Sequence, residues 1–80
     1  MPYIQPESRD PLIQSREAQS PGELNFLFTK DVLAYVERKG LSYQTVNDVL
    51  GALDGARQEF YRRVAAPYED RKIKENGDVY

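Results

Sequence analysis

Two punctuation signals bracket the middle of this chain and fix most of what it can become. Ser20-Pro21-Gly22-Glu23 reads as a helix start. The Ser20 side chain can accept from the amide of Glu23, Glu23 can reach back to the amide of Ser20, and Pro21 sits where a missing N–H costs nothing. Gly40, preceded by Arg38 and Lys39, reads as a left-handed stop, with two cations complementing the carboxyl end of the helix dipole. A helix to Lys39 follows. Leu41-Ser42 leaves a very short connection, and Ser42 is the expected cap of the next helix. So short a link predicts an antiparallel two-helix hairpin, hence an all-α fold.

From Tyr43 to Ala66 the residues Val46, Val49, Leu50, Leu53, Ala56, Phe60 and Val64 fall on one stripe at the helical period. Pro67 cannot donate to the carbonyl of Arg63, so the helix is expected to end or kink there. A short third helix through Arg71–Glu75, closed by Asn76-Gly77, completes the pattern. Upstream, Pro2, Pro6 and Pro11 among polar neighbours suggest an arm over residues 1–19, with a helical turn from about Asp10 to Glu17. Tyr3 and Ile4 of that arm are apolar and suit docking on a neighbour. The organisation read this way is an arm at 1–19, a hairpin domain at 20–75 and a tail at 76–80 that turns at Asn-Gly and docks through Val79 and Tyr80.

The helix after Ser20 has two apolar faces. Leu24, Phe28, Val32, Tyr35 and Val36 form the broad one, expected to pack on the following helix, while Phe26 and Leu33 project from nearly the opposite side. A lone hairpin does not cover both. Either the amino-terminal arm covers the second face, or another subunit does. Gly51 and Gly55 raise a parallel question, because each weakens a helix by about 1 kcal/mol relative to Ala. They are surface drift, or they let another helix approach closely.

Eighty residues make one small domain with a thin stability margin, and such domains usually add disulfides, a metal or a partner. With no Cys and no His, disulfides and the common zinc and iron ligand sets are closed, which leaves self-association. A homo-oligomer is expected, with no cofactor and no metal. The net charge of −2 disfavours a nucleic-acid partner. No apolar run approaches the roughly 20 residues that span a bilayer, and no signal-peptide pattern is seen, so a cytoplasmic protein is expected.

Catalysis finds little support. Nucleophile-and-His mechanisms have no base, and no GxxxxGK[ST] phosphate loop is present. The ExxD pair Glu7 and Asp10 lies in the arm, and the adjacent Glu69 and Asp70 diverge on a helix. A non-enzymatic binding protein is the expectation. The most suggestive cluster is Arg57, Tyr61, Arg62, Arg63, Tyr68 and Arg71, which sets guanidinium forks for phosphate beside flat rings for a base. Such residues also serve as solvated helix surface: Glu59 and Arg63 have the spacing of an ion pair, and Arg57, inside the apolar stripe, should be paired or face a cavity.

The run from Tyr61 to Tyr80 (YRRVAAPYEDRKIKENGDVY), with Gly22-Glu-Leu-Asn25 upstream, resembles a family of short phage and prokaryotic proteins of unknown function. The resemblance implies that the tail belongs to the fold. More loosely, Ala56-Arg57, Phe60, Arg63-Val64-Ala65 and Pro67 resemble the second helix of the hairpin domain in phage proteins that sequester cyclic nucleotide immune signals. That resemblance implies an oligomer holding a cyclic nucleotide or ADP-ribose-type signal between subunits, as an anti-defence sink. The alternative is a structural or adaptor protein that binds other proteins.

Overall fold

The computed structural model describes residues 4–80, which are helical with no strand among them. Tyr3, one of the two arm residues expected to dock, lies outside that range. The helices are α1 (Pro6–Ser15), α2 (Pro21–Lys39), α3 (Tyr43–Phe60) and α4 (Ala66–Asn76), with a π-helical turn, Tyr61–Ala65, joining the last two. They fall into two compact units, Met1–Thr45 and Val46–Tyr80.

In the first unit the arm forms more structure than its prolines suggested. The helix spans Pro6–Ser15, earlier and longer than the turn expected at Asp10–Glu17. Pro6 occupies the first turn, where its ring presets the backbone and no donor is needed. Pro11 sits inside the helix and withholds one backbone hydrogen bond. The helix stops at Arg16, a non-glycine residue in the left-handed region (φ 58°) whose N–H donates to the Leu12 carbonyl at 2.8 Å. That conformation costs on the order of 1 kcal/mol. Arg16 is held by an ion pair to Asp31 at 2.8 Å, which ties the end of α1 to α2.

The start of α2 follows its sequence signature with one shift. Ser20 is extended (φ −148°), and its Oγ accepts from the Glu23 amide at 3.1 Å. Glu23 Oε1 accepts from the amide of Gln19 at 2.8 Å, one residue before the expected Ser20, because extended Ser20 leaves the preceding amide facing the first turn. At the far end Gly40 has φ 84° and ψ 145°, and its N–H donates to Val36 at 2.8 Å. It stops the helix with positive φ, as expected, but its ψ is extended, so the chain leaves without a left-handed turn.

The core of this unit is Leu12 with Phe26 (5% exposed) and Leu27 (3%), and Ile4, Ile13 and Ala18 pack around it. Phe26 is therefore covered by the arm, which answers the first of the two alternatives for that face, whereas Leu33 remains half exposed. The broad face expected to be buried is largely open at Leu24 and Phe28. The buried side of α2 is the one α1 reaches. After Gly40, Ser42 caps α3: its Oγ accepts from the Thr45 amide at 3.1 Å, and buried Thr45 donates from Oγ1 to the Gly40 carbonyl at 2.7 Å.

The second unit is one continuous helical run followed by a tail. The run passes through Pro67 where an end or kink was expected. A regular helix would press the proline ring on the Arg63 carbonyl. Here the chain widens by one residue, and the Ala66 N–H donates to Tyr61, five residues back. The short third helix at Arg71–Glu75 is thus the end of this run, Ala66–Asn76. Gly77 (φ 87°) closes it through an N–H bond to Ile73 at 2.8 Å.

The structure bears out the all-α class, but it does not show the antiparallel hairpin or an oligomer. The stripe meant for the hairpin is exposed at Val46, Leu50, Leu53, Phe60 and Val64, and the core lies between α1 and α2 instead. No helix among the described residues is long and apolar enough to cross a membrane.

Candidate functional site

All six residues singled out from the sequence lie on the run from Val46 to Asn76, and helical geometry spreads them over several sides of it. Arg57, at the end of α3, pairs with Asp54 at 3.1 Å, and Gln58 donates to the other oxygen of Asp54 at 2.6 Å. The expectation that Arg57 would be paired is met, on its own helix and in an exposed setting. Arg62 and Arg63 share one carboxylate: Glu59 Oε2 accepts from Arg62 at 3.0 Å and from Arg63 Nε at 2.7 Å. The expected Glu59–Arg63 pair is present, with Arg62 added to it.

These pairs have i,i+3 and i,i+4 spacing and stay solvent-exposed, so each is weak, about 0–1 kcal/mol. They compete with any anionic ligand for the same guanidinium forks. Tyr61 is about half exposed and adjoins Arg62 in the chain.

Beyond Pro67 the arrangement changes. The Tyr68 ring has the Arg71 guanidinium 5.7 Å and the Lys72 ammonium 5.6 Å from its centroid, both within cation–π range. Lys72 also reaches Glu75 at 3.3 Å. Among the described residues Arg71 has no carboxylate partner. Lys72 was missing from the predicted set, and its signal is plain in retrospect: it follows Tyr68 by four residues, the spacing of stacked neighbours on a helix.

Tyr68 also lines a shallow concavity of about 320 Å³ at the end of α4, with Lys72, Ile73, Asn76, Val79 and Tyr80. Its wall is formed by the tail, which turns at Gly77 and carries a local bond from the Tyr80 amide to Asp78 Oδ1 at 3.0 Å. The side chains of Val79 and Tyr80 stand open to solvent. None of the four arginines of the predicted set lines this concavity, so the structure brings Tyr68 and Arg71 together and leaves Arg57, Arg62 and Arg63 as a separate ion-paired surface. No group of three or more acidic side chains poised to hold a metal occurs among the described residues.

Gly51 and Gly55 have open space where a Cβ would stand, so nothing in the chain itself requires glycine there.

No curated protein and no solved structure matches this sequence. A family model does, over residues 1–79, and the chain belongs to the family it describes, Domain of unknown function (DUF6899).

Proposed function

We propose that this protein is a non-enzymatic binding protein that works as a homo-oligomer and meets other proteins through its helical faces. One observation carries the reading: the apolar stripe of α3 is exposed at Val46 (39%), Leu50, Leu53 and Phe60 (63%), with Val49 half-buried. Monomeric soluble proteins rarely leave a contiguous apolar patch of more than a few hundred Å² uncovered. With three buried apolar side chains for a core, the chain has strong reason to gain burial by association. Native mass spectrometry of protein purified from cells tests the reading, because it reports subunit number, retained partners and retained small ligands together. A bare monomer at micromolar concentration sinks it.

A second reading has its own observation. Tyr68, flanked by two cations, offers a face for a base beside charges suited to phosphate. On that basis the assembly sequesters a nucleotide-derived immune signal, such as a cyclic nucleotide or ADP-ribose derivative, and serves as a stoichiometric anti-defence sink. Thermal-shift titration with cyclic dinucleotides and ADP-ribose separates the two, and a flat response to all of them leaves the protein-binding reading alone.

A further inference from the structure

The π turn does more than accommodate Pro67. Val46, Leu53 and Phe60 recur every seven residues, and Tyr68 follows Phe60 by eight. A π turn adds one residue to a turn, so eight residues across it subtend nearly the rotation of seven along an α-helix. Leu50, Arg57, Val64 and Lys72 form a second line with the same seven, seven and eight spacing. The two lines alternate at three and four residues, the a and d pattern of a coiled coil, and they stay in phase across the proline only because the turn is widened. Every apolar member of the seam is exposed.

Charge indicates the occupant. Residues 46–56 carry Asp48 and Asp54 and no cation, while residues 57–76 carry six cations against four carboxylates. A helix that is acidic in its first half and basic in its second is complementary to its own antiparallel copy, and a parallel copy would set like charge on like.

We propose that the seam of Val46–Tyr68 pairs with the same seam of a second copy, antiparallel, with Leu50 opposite Phe60 and Val46 opposite Val64. In that register Arg57, the one charged residue in the middle of the seam, faces Leu53 of the other copy and lies beside its Asp54. The Asp54 carboxylate that holds Arg57 at 3.1 Å within the chain is then duplicated across the pair. Sliding by one heptad sets Arg57 against Phe60 and Lys72 against Val46, and leaves Arg57 with its own Asp54 but no carboxylate of the other copy beside it. A lone charged residue in a seam fixes register at some cost in stability, and Arg57 has that role here.

This inference rests on the oligomer reading above and specifies its interface. The chain has no Cys, so introduced thiols report contacts without background. Leu50→Cys and Phe60→Cys chains are made separately, mixed, and oxidised gently. Disulfide-linked dimers are expected in the mixture and not in either variant alone. Self-linking of the single variants indicates a parallel pair and overturns the proposal. An oligomer by native mass spectrometry with no linkage in the mixture also overturns it, while the oligomer reading stands; a monomer removes both. Asp54→Lys provides a second arm that leaves the apolar seam intact. It should weaken association about tenfold or more at low salt, with recovery on adding Arg57→Glu. Association unchanged by the reversal overturns the antiparallel charge argument.

Discussion

Residues 4–45 and residues 46–80 are built from similar apolar side chains, yet the buried ones, Leu12, Phe26 and Leu27, all lie in the first stretch. There α1 folds over α2, and each element supplies the other with a surface: Leu12 from one meets Phe26 and Leu27 from the other. The second stretch is a single helical run, which has no means of covering its own stripe. Its local supports are the pairs Asp54–Arg57, Glu59–Arg62, Glu59–Arg63 and Lys72–Glu75, each exposed. Exposed pairs of this kind contribute a few tenths of a kcal/mol. An isolated helix owes most of its stability in a protein to packing of its apolar face, so the second stretch needs a surface from elsewhere in a way the first does not.

The sharpest way to break this contrast is to truncate one aromatic in each half. Phe26→Ala removes a ring that is already buried, and about 3–5 kcal/mol of stability should go with it at any protein concentration. Phe60→Ala removes a ring exposed in the single chain, so its effect should be small in dilute solution and grow with concentration as the seam closes. Urea unfolding followed by circular dichroism at two concentrations a hundredfold apart distinguishes them. Equal, concentration-independent losses would mean that Phe60 is buried within its own chain and that the contrast between the halves is false.

Pro67→Ala sharpens the same comparison from the backbone side. Alanine restores a donor and removes the ring clash, so the helix has no further need of a widened turn. Proline is about 3 kcal/mol less favourable than alanine inside a regular helix, and part of that should return as higher helix stability. Loss of the extra residue rotates Tyr68 and Lys72 by about 100° relative to Phe60, which takes them out of the seam. Helicity should hold or rise while association weakens. Circular dichroism and sedimentation velocity on the same samples check both, and association that strengthens along with helicity would show that the π turn serves no interface.

The sequence was most legible where local chemistry decides the structure. Ser20, Gly40 and Ser42 act through their own backbone or side-chain hydrogen bonds, so both ends of α2 and the start of α3 could be read off directly, whereas the end of α3 at Phe60 could not. Packing was less legible, because an amphipathic stripe says that a face wants cover and not which partner supplies it. Phe26 looked like the minor face of α2 and became its buried one, since three prolines concealed how well Pro6 suits the first turn of α1. At the candidate site the residue types were visible but their pairing was not fully so. Glu59 was seen with Arg63 and turns out to hold Arg62 as well, and Lys72 was overlooked beside Tyr68.

Gly55 offers a smaller test of where the second stretch needs its cover. On the heptad lines drawn by Leu53 and Arg57, Gly55 falls on the outer side of the helix, away from the seam. An added Cβ there meets open space. Gly55→Ala should therefore raise stability by about 1 kcal/mol, the helix propensity difference, with association unchanged. Stabilisation by thermal unfolding together with an unaltered sedimentation profile is the expected result. A loss of association would place another helix against the glycine face and move the interface away from the seam.

The smallest stability effect bears most directly on the cation cluster. Glu59→Gln removes the charge that holds both Arg62 at 3.0 Å and Arg63 at 2.7 Å. Because all three side chains are exposed, the change in unfolding free energy should stay within about 0.5 kcal/mol. Ligand binding responds differently under the two functional readings. If the arginines contact phosphate, their carboxylate is a competitor, and replacing it should tighten binding of an anionic nucleotide. If the cluster is solvated helix surface, freeing two guanidinium groups creates no pocket, since the concavity lies at Tyr68 and the tail, apart from them. Calorimetric titration of the wild-type and Glu59→Gln proteins with ADP-ribose and a cyclic dinucleotide measures the difference. Tighter binding by the variant would assign Arg62 and Arg63 to the ligand, and binding that is present but indifferent to Glu59 would assign it to Tyr68, Arg71 and Lys72.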